Sequence, residues 1–289
     1  MPTYFESPTR RSTIALRSAL QCLHDWSRQV IRRTLKYYQQ LNTEVPGLRT
    51  VIVTHPEQLR AAKELHARIY RALDFITDAD LTSDGLRIGP DKDPYQAHAQ
   101  YFSVEGVRDG APRTVATVRI INADPGQGLK SFPLYVTQEL YPEYRNLLEE
   151  ADPAACGEIS ALVREPDVSG KAALMLYRAV WHYSLRQQYE LLLVACDAKL
   201  YPRCKMIFGA SWNRIGPDGD IWNHHVVPVM IDIPNSLDEA LKLSRVNPVQ
   251  RRIKMKALEF FLRGLPDEAI LPVHRERLAR YRLETLAQE

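Results

Sequence analysis

The stretch from Cys156 to Ala195 constrains the fold more than any other. From Glu158 to Arg164 the residues alternate, with Ile159, Ala161 and Val163 on one face and Glu158 and Ser160 on the other, which is strand periodicity. A turn carrying Pro166 and Gly170 follows, and Ser169 offers a helix cap. Lys171 to Gln188 is rich in helix formers and apolar on nearly every side, which predicts a buried helix. Leu191 to Ala195 is a short continuous apolar run, as expected of a strand covered on both faces. Strand, helix and strand at this spacing predict a β-α-β unit with parallel strands and a right-handed crossover. Where Glu158 and the following turn point then decides what the chain can do.

At 289 residues the chain is long enough for one large core with helical additions. The expected division is a basic helical segment over 1–47, an α/β domain over 48–233 and a helical extension over 234–289. In the first, Arg10 to Leu41 reads as one long helix, made basic by Arg17, Arg28, Arg32, Arg33 and Lys36. A solvated basic face is the favoured reading; peripheral contact with a membrane surface, or docking of an acidic partner, is the alternative. The net charge of +3 does not point to nucleic acid. The four cysteines show no CxxC spacing and read as free thiols in a reducing compartment. No signal peptide is evident and no apolar run approaches the about 20 residues that span a bilayer. The expected location is cytoplasmic.

Elsewhere, Leu48 to Val53 reads as a strand and Pro56 opens a helix to about Leu73. Thr77 to Pro94 is a polar loop with Asp78, Asp80, Asp84, Asp91 and Asp93, in a spacing that does not fit a calcium loop. Gln100 to Glu105 and Arg113 to Ile121 form two strands joined through Asp109-Gly110. Arg119 is a charge in an otherwise apolar strand; buried, it needs a partner. Glu158 is the leading candidate, and a solvent-reaching strand end the alternative. Val136 to Glu150 reads as a helix, Asp197 to Met206 as a short helix interrupted near Pro202, and Ile207 to Trp212 and Val226 to Ile233 as strands flanking a turn over Gly216 to Asn223. Pro248 opens a basic helix ended by Gly264, and a last helix covers about Val273 to Ala287.

This order of elements resembles the GNAT N-acyltransferase fold, an α/β mixed sheet. Within it the chain resembles the branch of acyl-homoserine-lactone synthases and N-acyl amino acid synthases. The residues carrying the resemblance are Asp93-Pro94-Tyr95 through His98 to Tyr101-Phe102, then Thr117-Val118-Arg119-Ile120, Phe132-Pro133-Leu134 and Gly157-Glu158-Ile159-Ser160. They cover about Leu48 to Ile233. Three departures stand out. Ala161 occupies the position of the family's arginine. The phosphate-binding turn, here Asp167-Val168-Ser169-Gly170-Lys171-Ala172, begins with an acid that would repel a pyrophosphate at a helix N-terminus. The tryptophan that the lactone synthases place near the start of the acidic loop is missing, which argues against S-adenosylmethionine as acceptor.

The resemblance implies acyl transfer from a thioester to a small amine, with no permanently bound cofactor and a phosphopantetheine thioester as cosubstrate. Acyl carrier protein is favoured over coenzyme A as its carrier. Glu158 is either the base for the amine or the ion-pair partner of Arg119. Backbone N–H groups around Ser160, Leu162 and Val163 would polarise the carbonyl. Ser169, Gly170, Lys171 and Ala172 would hold the donor. Tyr201 lies near where such enzymes keep an acid for the leaving thiolate, although its spacing favours a packed side chain. Asp91 or Asp93 would steer a cationic amine, and Arg71 or Arg119 would clamp an acceptor carboxylate. Basic surfaces at Arg32 to Lys36 or Arg251 to Lys256 would dock an acidic carrier; in each of these cases ordinary solvated surface is the alternative. Adjacent His224 and His225 on a strand point to opposite faces and do not make a metal site. Ser160 lacks a nucleophile elbow. The alternatives are a coenzyme A-dependent acetyl- or acyltransferase, and a noncatalytic acyl- or carrier-binding protein of the same fold.

Overall fold

The computed structural model describes residues 45–82, 85, 93–108, 110–208, 211–221, 224–236, 259–265, 275–276 and 279. Its centre is one sheet. In chain order the elements are β1 (Arg49–Ile52), α1 (Pro56–Ala72), β2 (Ala99–Arg108), β3 (Ala111–Asn122), α2 (Pro133–Thr137), α3 (Pro142–Glu150), β4 (Cys156–Arg164), α4 (Lys171–Arg186), β5 (Leu191–Asp197), α5 (Tyr201–Phe208), β6 (Trp212–Arg214), β7 (Gly219–Ile221) and β8 (His224–Asp232). The strand order is β1-β2-β3-β4-β5-β8-β6, with β7 also on β8. Among the described strands only β4 and β5 run parallel, joined by α4; the other pairs are antiparallel. The α/β mixed sheet expected from the sequence is therefore present, built on the predicted β-α-β unit.

Strand alternation sorts the side chains into two cores. Phe102, Val118, Ile120, Ile159 and Leu192 turn toward α4 and pack with Leu176 and Val180. Ile121, Leu191, Leu193 and Met230 turn the other way and pack with Phe132, Leu134 and Leu148. Helix α1 lies on this second side, seating Ala62 against Val53 and Tyr101. Gly157 lies in a closely packed part of the first side: a Cβ there would lie 2.8 Å from the Tyr189 ring and 3.2 Å from Leu192.

Several expectations change. Arg119 pairs with Asp93, not Glu158. The helix foreseen over Val136 to Glu150 is two helices, because Pro142 restarts the chain after Leu140 and Tyr141. Pro202 does not interrupt a helix but sits in the first turn of α5, where its missing N–H is tolerated, and Ile207 and Phe208 end that helix instead of starting a strand. The stretch before β8 carries the short strand β7 as well as a turn. The N-terminal basic helix, the cluster Arg251 to Lys256, Asp91 and most of the last helix lie outside the described residues. No described helix is long and apolar enough to cross a membrane.

Candidate active site

Strand β4 is irregular where it matters. Its register with β3 runs Glu158 to Ile121 and Ser160 to Arg119, but then Val163 to Thr117. Ala161 and Leu162 together oppose the single residue Val118, which is a β-bulge. Ala161 adopts φ 54°, a left-handed conformation that costs a non-glycine residue about 1–2 kcal/mol. The extra residue reverses the alternation beyond it. Val163 thus joins the Glu158 and Ser160 face, and Leu162 packs with Ile159 on the α4 face. The predicted grouping of Ile159, Ala161 and Val163 on one face fails for this reason.

The bulge coincides with an opening. Parallel pairing between β4 and β5 covers Cys156 to Ile159 against Leu191 to Val194 and stops there. Strand β5 continues to Asp197, held by β8, and β4 continues to Arg164, held by β3. The two strands therefore part, leaving a gap bordered by Ser160 to Val163 on one side and Ala195 to Asp197 on the other. Backbone groups on the facing edges have no ladder partner across it.

Glu158 lies at the closed end of the gap, with 3% of its surface exposed. Its Oε2 accepts a hydrogen bond of 2.9 Å from the Leu134 N–H. Leu134 follows Pro133 in the first turn of α2, so that N–H has no acceptor within its own helix. Burial raises the Glu158 carboxyl, only partly offset by the Leu134 N–H and the charge of Arg119, and the result is a pKa of about 8. Near neutral pH the group is chiefly a neutral acid that ionises over a mildly alkaline range.

Arg119 stands on the same face, diagonal to Glu158 across β3 and β4. It is 4% exposed, donates to Asp93 and lies 3.3 Å from the Tyr101 hydroxyl. Burial opposes its charge, but Tyr101 and Asp93 outweigh that and hold its pKa above the ordinary value. Its Nε is buried with no hydrogen-bond partner among the described residues. Asp93 in turn accepts the Tyr95 N–H at 3.2 Å. Arg119 and Asp93 thus brace the wall behind Glu158, and both are already engaged with protein.

The turn between β4 and α4 is closely tied. Ser169 Oγ accepts the Lys171 N–H at 3.2 Å, just ahead of α4, whose N-cap is Gly170 rather than Ser169. Arg164 donates to the carbonyls of Glu165 at 2.7 Å and of Val168, tying the turn together. Glu165 is pinned by Arg68 and by Arg113 at 3.2 Å. Asp167 is exposed on the turn, while Lys171 and Ala172 are buried.

Other sequence candidates fall elsewhere. Arg71 pairs with Asp78 at 2.9 Å on the surface. Tyr201 packs from the start of α5 against the α4-side core, and burial raises its pKa. His224 and His225 diverge as expected: His224 meets Asp197 at 2.7 Å, and His225 meets Asp220 at 3.1 Å. Among the described residues no group of three or more His, Cys, Asp or Glu is arranged to hold a metal. The pairing of Asp197 with His224, 27 positions apart, escaped the sequence reading; only the antiparallel register of β5 on β8 joins them. A separate groove of about 250 Å³, bordered by Ile52, Phe102, Met175, Arg178 and Arg186, lies on the α4 side of the sheet, away from Glu158.

No protein-family model matches the chain and no curated protein matches it. Among solved structures it is similar to FeeM, an N-acyl amino acid synthase from uncultured soil microbes, at 16% identity and a TM-score of 0.48 over 67% of this chain and 95% of that one. It is also similar to the AHL synthase LasI, at 18% and 0.45 over 64% and 90%. For BjaI, a CoA-dependent acyl-homoserine lactone synthase, the figures are 17% and 0.47 over 67% and 86%. Likeness at this level leaves the chemistry to be argued from this chain's own residues.

Proposed function

We propose that the chain is an N-acyltransferase that moves a fatty acyl group from a thioester to the amine of an amino acid or related small molecule. The observation carrying this reading is the gap between β4 and β5, with the buried Glu158 carboxyl at its closed end and the bulge at Ala161 along its edge. A pantetheine arm is an extended chain of amides, and an unpaired strand edge offers it backbone hydrogen bonds. The thioester carbonyl then lies beside the β4 backbone at Ser160 to Val163, where an N–H stabilises the developing oxyanion. The amine nitrogen attacks the carbonyl carbon, the C–N bond forms and the C–S bond breaks. The nitrogen gives its proton to ionised Glu158, and the thiolate leaves to become a thiol.

Acyl carrier protein is the favoured donor. Asp167, exposed at the start of the donor turn, places a negative charge where the pyrophosphate of coenzyme A would approach. The test is incubation of the purified chain with acyl carrier protein thioesters, acyl-coenzyme A and a panel of amines, with amide formation read by mass spectrometry. Acyl-amide from the carrier-protein donor and its loss in Glu158→Gln are expected. No amide from any donor, with the fold intact by circular dichroism, overturns the reading. Long-chain acyl binding without turnover would assign the chain to a noncatalytic acyl-binding role instead.

A further inference from the structure

We propose that His224, held by Asp197, is the general acid that protonates the departing thiolate. The inference rests on the N-acyltransferase reading and adds a catalytic residue to it.

The argument begins with register. If the parallel pairing of Ile159 with Val194 continued, Ser160 would be level with Ala195, and Leu162 with Asp197. The strands have parted by then, so Asp197 lies across the gap from the bulge. Leu193 pairs with Glu158, and Asp197 follows it by four residues on the same face, about 13 Å further toward the open end. The donor turn, which starts after Arg164, is at that same end. The sulfur, on the donor side of the carbonyl, therefore lies nearer Asp197 and His224, and the amine nearer Glu158.

The pair is built as a positioned acid. Asp197 Oδ1 accepts the N–H groups of Lys199 at 2.6 Å and Leu200 at 3.0 Å. Its Oδ2 accepts from His224 Nε2 at 2.7 Å. Burial alone would raise the Asp197 carboxyl; the bonds from His224, Lys199 and Leu200 outweigh it and hold the group below its ordinary value. Phe75, just past the end of α1, stacks on the imidazole with centroids 4.1 Å apart and planes within 16°. The groups set against the ring are thus the Asp197 carboxylate from β5 and the Phe75 face. The His224 side chain keeps 23% exposure, so it is fixed yet reachable. With Nε2–H committed to Asp197, Nδ1 is the nitrogen that delivers a proton. As C–S breaks, the proton passes from Nδ1 to sulfur, leaving a neutral imidazole that is reprotonated from solvent. Tyr201, the candidate from sequence, packs on the α4-side core.

A leaving group that needs no acid separates this role from a structural one. Wild type, His224→Gln and Asp197→Asn are assayed for amide formation with S-decanoyl-N-acetylcysteamine, an alkyl thioester, and with S-decanoyl thiophenol, whose thiolate leaves unprotonated. Both variants are expected to lose about 10²-fold or more in kcat with the alkyl thioester and only a few-fold with the aryl one. Equal losses on both substrates, or no loss, overturn the proposal even though the enzyme is an acyltransferase. A wild type inert on both and on the carrier-protein thioesters as well, with its fold intact, overturns the N-acyltransferase reading and this inference with it. Thermal melts of the variants separate loss of the proton donor from loss of fold.

Discussion

Replacing Glu158 by glutamine tests the buried carboxyl through stability as well as rate. In the folded chain its pKa is raised from the ordinary 4.5 to about 8. Below 4.5 the group is neutral in both folded and unfolded chains, and the cost of burying a charge is absent. Between the two values the folded chain keeps a proton that the unfolded chain has released, so stability falls as pH rises. Above about 8 the carboxylate is charged in both states and the folded chain carries the full burial penalty. At about 1.4 kcal/mol per tenfold change, the span from 4.5 to about 8 amounts to on the order of 5 kcal/mol. That is large beside the roughly 5–15 kcal/mol that holds a typical domain folded. Glutamine has the same shape, and its carbonyl still accepts the Leu134 N–H, but it cannot ionise. Urea denaturation of both proteins at a series of pH values measures the difference directly, since all other titrating groups cancel. The variant should gain on wild type by several kcal/mol between about pH 5 and pH 9. A difference that stays flat with pH refutes the assignment. In turnover on the aryl thioester, whose leaving group needs no acid, wild type should rise nearly tenfold per pH unit below 8 with an acceptor of low amine pKa, and Glu158→Gln should lose that rise.

Three further changes probe the surroundings. Asp93→Ala strands the buried Arg119 guanidinium and should destabilise the fold by about 3–5 kcal/mol, most of it recovered in Asp93→Ala/Arg119→Met; denaturation midpoints of the single and double variants decide this, and a double variant no better than the single would contradict it. Gly157→Ala pushes a methyl to 2.8 Å from the Tyr189 ring and should cost about 1–3 kcal/mol, read as a lower melting temperature. Ala161→Val puts a β-branched side chain at φ 54° and should lose about 1–3 kcal/mol together with most amide formation; an unchanged rate would show that the bulge does not position the carbonyl.

The sheet was legible because period-2 and period-3.6 patterns report burial, and burial decides which strands and helices form. Cys156 to Ala195 yields its β-α-β unit on those grounds alone. The bulge left no such trace: Ile159, Ala161, Leu162 and Val163 are all apolar, so an extra residue among them shifts the alternation without breaking the hydrophobic run. Arg119 was recognisable as a buried cation needing an acid, but Glu158 and Asp93 both qualify by type. The choice falls to Asp93 because the segment before β2 brings its carboxylate onto the guanidinium, while Glu158 is turned to the Leu134 N–H. That division has a chemical consequence. A direct ion pair with Arg119 would hold Glu158 ionised and make it a weak base. Displaced from that pair and buried, Glu158 keeps its proton to about pH 8 and binds one strongly once ionised. The buried acid at Asp93 is thus what frees Glu158 for proton transfer, and Asp93→Asn should lower the pKa seen in turnover by leaving Arg119 to act on Glu158 unopposed. A pH–rate profile for Asp93→Asn that coincides with wild type would sink that link.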